Sequence, residues 1–117
     1  RGTGIRISRR SIRNPSENGG KRMKFAFLIM GKFNSETDKA AIHNGVSQLI
    51  GVADIEDACR TARNLYENGI DCIELCGAFG AEGARKIIEA TENKIPVGYV
   101  THLPEQEEVY QAAFPQK

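Results

Sequence analysis

The chain lacks an apolar stretch long enough to cross a bilayer. Its longest strongly apolar run is Phe25 to Gly31, well short of the roughly 18 to 20 residues that a spanning helix requires. No apolar segment followed by small residues marks a secretory signal, so a soluble, cytoplasmic protein is expected. Cysteine is scarce, with three in 117 residues, and a disulfide framework is not expected. Cys72 and Cys76 fall on one predicted strand, about 13 Å apart, too far to bridge or to share a metal. Internal repeats and low-complexity tracts are also missing, which leaves one ordinary domain with one core.

An excess of one charge is missing only on average. The net charge is +1, yet residues 1 to 22 hold seven Lys or Arg against the single acid Glu17, while residues 23 to 117 hold nine against fourteen. The first segment is too poor in apolar residues to bury surface and is expected to be disordered. It has no aromatic residue to stack on bases, and the acidic remainder repels a nucleic acid, so neither a nucleic-acid nor a membrane partner is expected. "NGGKRM" reads as a translated ribosome-binding sequence ahead of a start codon. We therefore expect Met23 to be the native start and residues 23 to 117 to form a single α/β domain.

From Met23 onward, strand and helix patterns alternate. Lys24 to Met30 is apolar without interruption from Phe25 onward, as in a strand buried on both faces at the centre of a sheet. Gly31 to Gly45 is mostly polar and reads as a long loop with a helical turn or two around Asp38 to His43. Val46 to Val52 reads as a second strand. Asp54 caps a helix in which Ile55, Ala58, Cys59, Ala62, Leu65 and Tyr66 recur at helical spacing and which Gly69 stops. A strand at Ile70 to Cys76, a helix at Ala81 to Glu92 and a strand at Ile95 to His102 follow. A last helix opens at Pro104 and is expected to bury Val109, Tyr110, Ala113 and Phe114. These elements predict a three-layer α/β fold, Rossmann-like or flavodoxin-like, with about four mostly parallel strands and flanking helices. Half of a (β/α) barrel is the alternative.

Over Met23 to about Gln116, "FAFLIMG", "GV" at 51 and 52, "IELCGAFG" and "VGYVTHLPEQ" resemble a small bacterial family known only as a domain of unknown function. The resemblance implies an α/β fold and transfers no catalytic residue.

Open parallel sheets bind ligands beyond the carboxyl ends of their strands. The residues predicted there are Gly31, Lys32, Gly77, Ala78, Phe79, Gly80, Thr101 and His102. Gly77, Gly80 and Gly83 form GxxGxxG, which lets backbone approach a small anion at a helix start. The same glycines suit a tight turn and close helix packing. The spacing departs from GxGxxG, Tyr99 and Thr101 stand where a ribose-binding acid belongs, and no GK[ST] is present, so no nucleotide cofactor is implied.

Glu74 alternates onto one face with Cys72 and Cys76 and is expected beneath a helix, as a buried anchor or as a tuned acid/base. Cys76 lies beside a helix start, where a thiol becomes nucleophilic, and His102 would serve as its base if the two strands are adjacent. His43, Cys76 and His102 lack metal-ligand spacing, and no metal site is predicted. Asp38, Lys39 and His43 are expected over the same sheet edge as the glycine turn. Two functions follow: a module binding a small anionic metabolite, or a small enzyme acting on one through Cys76, Glu74 or His102. A homo-oligomer is expected, because a thin α/β layer leaves a face to cover.

Overall fold

The structure, a computed structural model, describes residues 23–114; the expected basic leader, residues 1–22, lies outside them. The described elements are β1 (Phe25–Met30), β2 (Lys39–Ile42), β3 (Ser47–Val52), α1 (Ile55–Glu67), β4 (Cys72–Leu75), a 3-10 turn (Gly77–Phe79), α2 (Gly80–Ala90), β5 (Val97–Tyr99), a second 3-10 turn (Pro104–Gln106) and α3 (Glu107–Ala113). The strands form one mixed sheet in the order β2-β3-β1-β4-β5, with only the β2–β3 pair antiparallel. This is the expected α/β class, with a mostly parallel sheet and flanking helices. The parallel strands stand second, first, third, fourth, as in flavodoxin-like sheets. A half barrel would instead keep consecutive strands side by side.

The apolar run at Phe25–Met30 becomes the central strand, paired with β3 on one side and β4 on the other. Register then sorts its side chains. Ala26 and Leu28 align with Ile73 and Leu75 on β4, and Leu28 with Ile50 on β3. This face is buried with Ala58, Ala62, Ala84 and Ile87 of α1 and α2 in one core. Leu28, Ile73, Leu75 and Ile87 are wholly inaccessible, each contributing roughly 1.5–3 kcal/mol by burial. Right-handed crossovers carry β3 through α1 to β4 and β4 through α2 to β5 in the same direction, so α1 and α2 share this face and pack on each other.

The hinge of the topology is the connection between β1 and β3. A helix was expected within it, at Asp38 to His43, but those residues contain β2, an antiparallel edge strand. The hairpin turn uses His43 and Asn44 at φ 50 and 58 and Gly45 at φ 87, left-handed conformations that Asn and Gly tolerate best. Because a hairpin replaces a crossover helix here, Phe25 and Leu49 on the opposite face remain exposed.

Two caps anchor α1 and α2. Asp54 accepts the Asp57 N–H at 2.8 Å at the start of α1. Buried Thr91 ends α2, its hydroxyl donating to the Ile87 carbonyl at 3.0 Å. The expected burial of Val109, Tyr110 and Phe114 is corrected: no residue of α3 is buried. Their spacing is helical, but α3 follows β5 beyond the carboxyl end of the sheet, where the described residues offer it an open cleft in place of a packed face.

Candidate functional site

Three strand ends and α3 enclose a cleft of about 780 Å³, within the range of small-molecule sites. Its floor is Ile29 and Met30 at the end of β1 and Cys76 just past β4. Gly77, Ala78 and Gly80 form one wall, Tyr99 to His102 another, and Tyr110, Gln111 and Phe114 of α3 a third. The chain steps from β1 to one side and later crosses to the other, so the cleft opens at the switch point where such sheets bind ligands.

The three glycines separate by role. Gly80 has φ 64, which a side chain would strain. Gly83 is a packing residue: a Cβ there would lie 3.1 Å from Phe79 Cβ and 3.2 Å from Ile55 Cδ1, against the neighbouring helix. Gly77 is constrained by neither demand, since a Cβ would meet only the Val100 carbonyl at 3.5 Å. Gly77 and Ala78 open the 3-10 turn that runs into α2, so their N–H groups have no intrahelical acceptor. They border the cleft.

Cys76 is half-buried, and its Sγ accepts the Met30 N–H at 3.4 Å. The strands that lead into Cys76 and His102, β4 and β5, are adjacent, as the proposed pairing requires, and both residues line the cleft. His102 is engaged elsewhere: its Nε2 lies 2.7 Å from Glu107 Oε1, and its ring stacks on Tyr110 at 3.8 Å and 9°. Gln111 Nε2 donates to the other Glu107 oxygen at 2.7 Å. The hydrogen bonds from His102 and then Gln111 hold the exposed Glu107 carboxyl below its ordinary range. Among the described residues no hydrogen bond joins Cys76 to His102.

The remaining sequence candidates lie elsewhere. The Gly31 N–H is already given to the Val52 carbonyl at 2.9 Å. Lys32 is exposed and outside the cleft, and Phe79 is a core residue. Glu74 is corrected from buried to exposed, because its face carries neither α1 nor α2. Its Oε2 accepts from Cys72 Sγ at 3.5 Å. Burial, reinforced by the Glu74 charge and hydrogen bond, pushes the Cys72 thiol up to about 11. Asp38 and Lys39 lie at the carboxyl edge, but His43 is in the hairpin turn at the opposite edge, contrary to expectation.

Residues that the sequence reading did not nominate for a site are Ile29, Met30, Tyr99, Val100, Tyr110, Gln111 and Phe114 of the cleft lining and Glu107, which holds His102. The signal for the helical ones is Pro104, two residues after His102, which starts a helix soon enough to turn it back over the strand ends.

Fold and cleft define an α/β domain with a pocket at the carboxyl edge of a mostly parallel sheet, a class that serves many unrelated functions. The chain belongs to the family of unknown function DUF6506, whose profile matches residues 23–115. No curated protein and no solved structure gives a significant match.

Proposed function

We propose that this domain binds a small metabolite with an apolar body and an anionic group, held in the cleft at the carboxyl edge of the sheet. The observation that carries the reading is the convergence of Cys76, Gly77, Ala78, Gly80, Thr101 and His102 on one cavity of about 780 Å³. The open N–H groups of Gly77 and Ala78 would receive the anion, assisted by the positive end of α2. Ile29, Val100, Tyr110 and Phe114 suit the apolar body, and the Thr101 hydroxyl suits a polar substituent. The test is thermal unfolding of the full chain against phosphorylated and carboxylated metabolites. A ligand at 100 times its Kd adds about 2.7 kcal/mol, several degrees in a domain of this size. Absence of any shift across the panel removes the reading.

A second reading, an enzyme using Cys76 as nucleophile and His102 as base, is favoured by their presence in the same cleft and by the Glu107 contact that orients the imidazole. It requires rotation of His102 away from its stack on Tyr110. Cys76→Ser would abolish turnover of a bound ligand under this reading and leave binding intact under the first.

A further inference from the structure

Two surfaces of this chain are each missing what the other supplies. One is the sheet face opposite α1 and α2. The parallel strand β1 has Phe27 and Ile29 half-buried on this side, beside the exposed Phe25 and Leu49, whereas strands of parallel sheets are normally covered on both faces. Ile42, on the edge strand, is 68% exposed. On this face lies a hollow of about 360 Å³, lined by Ile29, Phe33, Leu49 and Gly51 and rimmed by Asp38 and Lys39.

The other surface is α3. It has seven residues and buries none of them, although helices shorter than about 12 residues are marginal in water without a surface to pack on. Tyr110 and Phe114 face its own cleft, while Val109 at 57% exposure and Leu103 at 64% are left uncovered by the described residues.

We propose that a second copy of the chain covers the sheet face, each protomer laying the Leu103–Val109 side of its α3 arm into the hollow of the other. A two-fold arrangement satisfies both surfaces twice and supplies the layer that the β2–β3 hairpin leaves out. The hollow is of mixed charge, with Asp38 beside Lys39, so the argument for this occupant rests on area. Each copy brings six large apolar residues, Phe25, Phe33, Ile42, Leu49, Leu103 and Val109, exposed by 37 to 68%. At roughly 150–250 Å² per large side chain this amounts to about 600 Å² per copy, against the ~800 Å² each partner contributes to a standard interface and at the lower end of the specific range.

The test is light scattering of the full chain at micromolar concentration, with Leu49→Glu on the sheet face and Val109→Glu on the arm. The wild type is expected at twice the chain mass and each variant at the monomer mass with unchanged far-UV circular dichroism. An equimolar mixture of the variants should recover a heterodimer, because one arm-to-face contact in it remains wild type. Should Leu49→Glu fail to fold, Ile42→Glu at the exposed edge replaces it. A monomeric wild type overturns the proposal, and one that dimerises only after removal of residues 1–22 assigns the face to that segment. Loss of the dimer in Leu49→Glu alone indicates sheet-to-sheet pairing, and loss in Val109→Glu alone indicates helix-to-helix pairing; either result overturns the exchange, as does a dimer unaffected by both.

Discussion

Asp57 ties the β1–β2 loop to α1. Its carboxylate accepts the Ala53 N–H at 2.9 Å, the Ser35 hydroxyl at 2.9 Å and Arg60 at 3.1 Å. Burial alone would raise its pKa, but these three donors outweigh that effect and hold it below the usual carboxylate value. Its folded pKa is thus below the unfolded one, so its stabilisation is present above about pH 4 and is lost as pH falls through the folded value. Asp57→Asn should destabilise by about 1–3 kcal/mol at pH 7. Thermal unfolding at pH 7 and pH 3 checks this, with the gap between wild type and variant narrowing in acid. The thiols provide a second prediction at this scale. With Cys72 pushed up to about 11, only about one molecule in ten thousand carries its thiolate at pH 7. Cys59 is also raised by burial. Iodoacetamide at pH 7 should therefore modify Cys76 first, as read by peptide mass mapping. Equal labelling of all three would remove Cys76 from consideration as a nucleophile.

The glycine turn makes the predictions at the scale of the element. Gly80→Ala forces an L-residue to φ 64 and ψ −177, a region open essentially to glycine alone, and should cost about 1–3 kcal/mol, visible as a lower denaturant midpoint with an unchanged slope. Gly77→Ala has room in the fold and should leave that midpoint within about 0.5 kcal/mol while weakening ligand binding. The two substitutions separate turn geometry from ligand approach within one motif. Most elements were legible because their signals are local: the apolar run of β1, the Asp54 cap and Gly69 stop of α1, and the break before Pro104. β2 was not. Lys39–Ile42 is four residues long and exposed throughout, so no alternation marks it. Its one local sign is Asn44-Gly45, a hairpin dipeptide embedded in a polar segment.

At the scale of the whole molecule, errors came from assuming that helices cover both faces of the sheet. Alternation correctly paired Glu74 with Cys72 on one face, but the β2–β3 hairpin, standing in the connection from β1 to β3, leaves that face without a crossover helix, so Glu74 is exposed. The same reasoning explains α3, whose apolar spacing was read as burial within its own chain. The cleft was more legible, since strand direction alone nominates the carboxyl edge; its third wall was not, because α3 reaches it only through the folded path after β5. The central claim, an anionic ligand on the open N–H groups of the glycine turn, is tested most directly by amide chemical shifts of the full chain. The titrants are inorganic phosphate and the metabolites that raise the unfolding midpoint. The account predicts saturable shifts centred on Gly77, Ala78, Gly80, Thr101 and His102, attenuated in Gly77→Ala. Shifts confined to Lys32, Lys39 or residues 1–22, with the glycine turn unmoved, would contradict it.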